Sequence, residues 1–198
     1  MPEIEKADFL LSKTGFILLL VEAVPQTIVE LAEYNVKDHF NYFCCMYSKQ
    51  EASQLRKDFW TSFGQYMSPV LSAEGEKISW LNYKTGEKNI FFRMHADNKN
   101  AVIAIELAHT DMDIQQIYFE QFQQLKKIFE TTMNEEWNWV LHATDDNGKT
   151  VSRIFFELSD VSVFKREDWP RLISFFKPRI VALDEFWSNV KYSFEALR

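Results

Sequence analysis

The stretch 77–109, KISWLNYKTGEKNIFFRMHADNKNAVIAIELAH, limits the possible folds more than any other part of the chain. Three β-rich runs, 78–83, 89–96 and 101–108, are separated by Lys84-Thr85-Gly86-Glu87 and by Asp97-Asn98-Lys99-Asn100. Gly, Asn and Asp between alternating runs mark consecutive hairpins, so the segment reads as a three-strand meander. Side chains in a strand alternate between faces. That places Phe91, Arg93 and His95 together on the second run, and Val102, Ala104 and Glu106 together on the third. Ala101, Ile103, Ile105 and Leu107 point the other way, and so apolar a face needs a cover.

Amphipathic segments on either side supply that cover. Ser48-Lys49-Gln50-Glu51 spells a capping box, in which the Ser hydroxyl accepts from the third helical amide while the Glu reaches back. The helix it opens runs over 48–67, with Ala52, Leu55, Phe59, Phe63 and Tyr66 at helical spacing. Ser68-Pro69 ends it, since a residue before proline avoids the helical region. Thr110-Asp111-Met112-Asp113 opens a second helix that ends near Asn134. Its stripe is Ile114, Tyr118, Phe122, Leu125, Phe129 and Met133. Strand, helix and strand in succession favour a right-handed parallel crossover, which sets 137–144 parallel to the third run. Asp146-Asn147-Gly148 then turns the chain into 150–158. Asp168-Trp169-Pro170 starts a short helix that Pro178 breaks or kinks. A last helix follows, with Ile180, Leu183, Trp187, Val190, Phe194 and Leu197 in one stripe. The expected fold is α+β: a mixed five-stranded sheet (three-strand meander, crossover helix, hairpin) covered by long amphipathic helices, in the order α-βββ-α-ββ-α.

At 198 residues, with 18 Phe, 6 Trp and 7 Tyr, the chain can bury a large aromatic core without metal or disulfide staples. The first 45 residues read differently. They hold 3 basic and 7 acidic residues, leaving 19 and 22 for the remainder, and they contain both cysteines, Cys44 and Cys45. Two expectations are open for 1–45: a loosely attached, poorly ordered extension, or an over-extended gene start with Met46 as initiator. Residues 46–198 are expected to form a single α+β domain. Two adjacent cysteines exclude a disulfide framework and fit a reducing, cytoplasmic setting. The apolar run 16–21 is too short to span a bilayer, so no membrane role is expected. A net charge of −7 argues against a broad non-specific grip on nucleic acid.

The segments MYSKQEASQLRKDFW, WLNYKTGEKNIFFRM, EEWNWVLHATDDNGKTVSRIFFEL and WPRLISFFKPRIVALDEFW, taken in order, resemble the bacterial family called domain of unknown function 4268. The likeness covers 46–198. The family carries no established catalytic residues to transfer. Some relatives are fused behind nuclease-like domains, which implies a place in DNA metabolism or defence.

One functional reading gathers Arg93, His95, Glu106, His142 and Arg153 into a polar binding pocket. The favoured reading is an exposed sheet face with cross-strand ion pairs such as Arg93–Glu106. A catalytic alternative comes from element order, which resembles that of restriction-endonuclease-like nucleases. There Asp97 and Glu106 would bind Mg²⁺ and activate water, with His109 standing in for the missing lysine. The chain has no Gly-rich phosphate loop, no H-E-x-x-H and no nucleophilic Cys after residue 45. Arg171, Lys177 and Arg179 lie among aromatics and could touch nucleic acid or a partner, but packing is the favoured role. The reading is therefore a non-enzymatic interaction or accessory module that needs no cofactor. Its partner is a protein or a DNA-processing system, and the alternative is a divergent metal-dependent nuclease.

Overall fold

Asp97 does what a short acidic side chain does in a turn. Its Oδ1 accepts from the amides of Lys99 and Asn100 at 2.7 and 2.8 Å, reversing the chain between two strands. Those strands, β1 (Ile90–Ala96) and β2 (Asn100–Leu107), pair antiparallel in a computed structural model that describes residues 48–145 and 148–197. Lys49 onward forms one compact α+β unit. Expectations concerning 1–45, Cys44, Cys45, Met46 and the turn residues Asp146 and Asn147 lie outside the described residues.

The sheet has four strands, all antiparallel, in the order β1-β2-β4-β3, with β3 at Asn138–Thr144 and β4 at Thr150–Ser159. This corrects the expected mixed five-stranded sheet in two ways. First, 78–83 is not a strand. Trp80 and Tyr83 direct their polar tips elsewhere: Trp80 Nε1 donates to the Val70 carbonyl at 3.0 Å, and Tyr83 donates to Asp184 at 2.7 Å. Leu81 turns inward beside Trp80, which breaks the two-residue alternation a strand requires. Second, the crossover from β2 does not place β3 beside it. β3 runs in the same direction as β2, but β4 folds back between them. The physical reason lies in β3, whose register slips between Val140 and Ala143 and whose His142 has φ +54°. Bulged strands belong at sheet edges, whereas β4, whose ladder to β2 is unbroken, pairs on both sides.

Among the described residues the α-helices are α1 (Lys49–Met67), α2 (Met112–Gln124), α3 (Lys126–Met133) and α4 (Trp169–Val190). Single 3₁₀ turns or runs flank α4 at Arg166–Asp168 and Lys191–Leu197. Asp111 caps α2, its side chain accepting from the amides of Asp113 and Ile114. The expected single second helix is divided at Leu125, and its far end closes on Asn134 in the left-handed region. Pro178 does not divide α4, which runs unbroken for 22 residues. The element order is thus α-ββ-αα-ββ-α.

α4 is the spine of the core. Phe176 and Trp169 meet Phe59 of α1, Phe175 meets Phe156 of β4, and Phe186 meets Phe129 of α3. Trp187 meets Phe92 of β1 and Phe122 of α2. Each fully buried aromatic of this kind contributes roughly 1.5–3 kcal/mol through burial. Arg179 fastens the spine at one further point. Its Nε and Nη2 donate to the two Glu135 carboxylate oxygens at 2.9 and 2.6 Å, and Nη1 donates to the Phe175 carbonyl at 2.7 Å. Its guanidinium also lies over the rings of Phe156 and Phe175. A lysine has no planar fork to reproduce this. Arg179→Lys is therefore expected to cost about 1–2 kcal/mol in urea unfolding, while Lys177→Arg changes little.

Candidate functional site

Register turns the alternation of the sheet into three cross-strand rows on one face. The first is Phe91, Glu106, Arg153 and Val140, and the second is Arg93, Ala104, Phe155 and Asn138. The third is His95, Val102 and Glu157. The opposite rows, for example Phe92, Ile105, Ile154 and Trp139, carry the core. Every residue of the three rows except Ala104 keeps some contact with solvent, and Arg93, His95, Glu157, Asn138 and Val140 are exposed. The face is open, as the favoured expectation had it.

Its charges are locally arranged. Arg153 Nη2 lies 3.2 Å from Glu106 Oε2, the residue directly opposite it in register. The expected Arg93–Glu106 pair is a correction: Arg93 stands opposite Ala104, and its guanidinium lies 4.4 Å above the ring of Phe91. Two cations, Arg93 and Arg153, share the face with two carboxylates, Glu106 and Glu157, so these four charges balance.

The structure brings Arg93, His95, Glu106 and Arg153 onto one face but not into a pocket. His142 does not join them. At the bulge its backbone amide donates to Ser152 Oγ, and its Nε2 lies 3.2 Å from the Met112 carbonyl, at the start of α2. Asp97 and Glu106 do not meet either. Glu106 pairs with Phe91, six positions along β1 from Asp97, a separation of about 20 Å at the rise of a strand. An ion bound through oxygens at ~2.1 Å cannot be shared across that span. One carboxylate holds a turn and the other an arginine. Among the described residues no group of three His, Cys, Asp or Glu side chains could hold a metal. His109 is buried against Tyr118, far from acting as a lysine substitute on an acidic pair. Of the cations near Pro178, Arg171 donates to the Asp160 carbonyl, Arg179 is paired with Glu135, and Lys177 lies over the Tyr66 ring.

Two polar residues that the periodicity did not single out prove central. Asp184 lies in α4 at the floor of a cleft of about 390 Å³ between that helix and the 72–85 loop. Its carboxylate accepts from the Ala73 amide at 2.6 Å and from Tyr83 Oη at 2.7 Å. Burial, and then Asp184 itself, hold the Tyr83 phenol far above its usual range. At the cleft mouth Lys191 donates to Glu74. Gln115, fully buried in α2, donates to the carbonyls of His109 and Thr150 and accepts from Ser152 Oγ at 2.6 Å. The signal for both was present in the sequence. Each is a polar residue at core spacing, Gln115 with Tyr118, Phe119 and Phe122, and Asp184 with Ile180, Leu183 and Trp187.

No described helix is long and apolar enough to cross a membrane. No curated protein and no solved structure matches the chain. A family match covers residues 55–191, over three of the resembling segments in full and the last six residues of the first. Over that range, which includes every described strand and most of every described α-helix, the chain belongs to the family described as Domain of unknown function (DUF4268).

Proposed function

We propose that residues 46–198 act as a non-catalytic interaction module whose open sheet face docks a protein partner. The observation that carries this reading is the composition of the three exposed rows. Phe91 with Arg93 stacked upon it, and Phe155 beside them, are the residue types that dominate interface centres. The Glu106–Arg153 pair offers a fixed dipole for orienting a partner. Equal numbers of cations and carboxylates argue against a polyanion as occupant, because nucleic acid affinity draws on a surplus of Lys and Arg. A place in DNA metabolism or defence, in the cytoplasm, then comes through the protein that the module recruits.

The test compares the full chain with a Phe91→Ser/Arg93→Glu double variant, both tagged and recovered from the native cell. One protein in stoichiometric amount should accompany the wild type and fall at least about tenfold in the variant, whose melting temperature is unchanged. Identical recovery from both, or saturable binding of single-stranded DNA, overturns the proposal. So does Mg²⁺-dependent DNA cleavage that Glu106→Ala abolishes.

A further inference from the structure

The two edges of the sheet differ in what they leave open. At an edge, alternate residues turn their N–H and C=O groups away from the neighbouring strand. On β1 the outward set is Ile90, Phe92, Met94 and Ala96, because the Ala108 amide donates to the Asn89 carbonyl and the Asp97 amide to the Asn100 carbonyl. That edge is largely closed. The Ile90 carbonyl accepts from Thr85 Oγ1 at 2.9 Å, and Ile90, Phe92 and Ala96 are 1%, 6% and 1% exposed.

The β3 edge is open. The Asp145 amide donates to the Lys149 carbonyl, which sets the odd-numbered residues of β4 toward β3. Asn138 and Val140 therefore bond Phe155 and Arg153, and Trp139 turns its N–H and C=O outward. Leu141 does the same at the bulge. Its N–H lies opposite the inward Val140 carbonyl, and its C=O lies opposite the His142 amide, which donates inward to Ser152 Oγ at 3.0 Å. Among the described residues nothing bonds to the outward groups of Trp139 and Leu141. Val140 and Leu141 are each 38% exposed. β3 holds no Asp, Glu, Lys, Arg or Pro, the charged residues and proline that usually close an edge to further pairing.

Its ends are acidic: Glu135 and Glu136 precede it, and Asp145 and Asp146 follow it. Glu135 is held by Arg179, and Lys126, which lies over the Trp139 ring, is paired with Glu130. Glu136 is exposed and has no ion-pair partner among the described residues. A second copy added antiparallel would set carboxylates against carboxylates at both ends, which disfavours self-pairing. The bulge between Val140 and Ala143 limits any added strand to a short one.

We propose that the Trp139–Leu141 edge captures a short extended segment of a partner protein, added to the sheet as a strand. The segment carries an apolar residue against Val140 or Leu141 and a Lys or Arg at the end that meets Glu136. Backbone bonds to Trp139 and Leu141 hold it, and the charge selects it. This edge lies across the sheet from Phe91 and Arg93, so it goes beyond the open face and does not require it.

The probe is the blocked peptide acetyl-Lys-Thr-Val-Thr-Val-Thr-Lys-amide, titrated into the full chain while NMR follows hydrogen exchange at single amides. With free peptide at about ten times its Kd, exchange of the Trp139 and Leu141 amides should slow about tenfold. The same peptide with Glu at both ends, or N-methylated at its central residues, should give no such protection. Leu141→Pro, which removes one outward amide and leaves the ladder to β4, should abolish the protection of Trp139. Glu136→Lys should reverse the preference between Lys-ended and Glu-ended peptides, a result that misfolding cannot produce. The Phe91→Ser/Arg93→Glu variant should bind the peptide as the wild type does, which separates this edge from the open face. No saturable protection, equal protection by either control peptide, or an unreversed preference in Glu136→Lys overturns the proposal. Protection that rises with protein concentration in the absence of peptide also overturns it, because a second copy is then the occupant. Should Leu141→Pro fail to fold, the Glu136→Lys comparison decides alone.

Discussion

Asp184→Ala should lower the stability of the protein by about 3 kcal/mol, measured by urea unfolding at neutral pH. Asp184 is 4% exposed, and its two hydrogen bonds span more than 100 residues of sequence, joining α4 to the loop that takes the place of a first strand. Hydrogen bonds to a charged group contribute roughly 1.5–3 kcal/mol each, and the Ala73 amide loses its partner when the carboxylate goes. The cleft admits water to Tyr83, which keeps the total below the sum of the two bonds. Asp184→Asn preserves volume and one acceptor and should cost about half as much. The same contact sets an alkaline limit. The folded Tyr83 phenol titrates well above its usual pKa of about 10. Its contribution is complete below pH 10. Above that, the unfolded chain releases the proton while the folded chain keeps it, so stability falls as pH rises. The slope from this group is at most about 1.4 kcal/mol per pH unit. Stability measured by unfolding above pH 10 should therefore fall less steeply with pH in Tyr83→Phe than in the wild type. Parallel decline would show that Tyr83 is hydrated in the folded protein.

Gln115→Leu should be comparably damaging, by about 3 kcal/mol, although it exchanges a polar residue for an apolar one of similar size in the core. Gln115 is 0% exposed, and it serves the His109 carbonyl, the Thr150 carbonyl and the Ser152 hydroxyl at once. Ser152 in turn accepts from the His142 amide, which the bulge in β3 removes from the ladder. Leucine strands this whole chain of donors and acceptors in a site that water does not reach, and such networks lose more than one bond at a time. Gln115→Glu separates packing from pairing: it keeps the shape and loses the donor, and should be at least as destabilising as leucine. Thermal melting gives the readout, with a loss of roughly 6–12 °C expected for a unit of this size. A Gln115→Leu melting temperature within experimental error of wild type would mean that the network contributes nothing net.

Much of the local structure was legible from spacing. α1, the β1–β2 hairpin and the β3–β4 strand pair lie within a residue or two of their expected places. In each case the information is carried by neighbours in sequence: a turn residue such as Asp97, a cap such as Asp111, an alternation such as that of 101–107. The open face was legible for the same reason, because alternation alone put Arg93 and His95 together and opposite to Phe92. The errors have a common cause as well. Ile78 and Trp80 have strand-like spacing, but the polar tips of Trp80 and Tyr83 find partners in Val70 and Asp184, and no ladder forms. Pro178 lies in a helix so apolar on its buried sides that packing outweighs one missing amide. Glu106 takes Arg153, a partner 47 residues away, over Arg93.

By itself, then, the sequence determined part of the short-range structure: where α1 lies, that β1–β2 and β3–β4 are hairpins, and which side of those strands is polar. Periodicity and turn chemistry act within a few residues and need no knowledge of the rest of the chain. Only the tertiary structure decided that β4 lies between β2 and β3, that 78–83 becomes a loop clasped to α4, and that Asp97 and Glu106 are about 20 Å apart. These outcomes depend on competition among distant partners for the same hydrogen bonds and the same core surface. Local spacing carries no record of which partner wins.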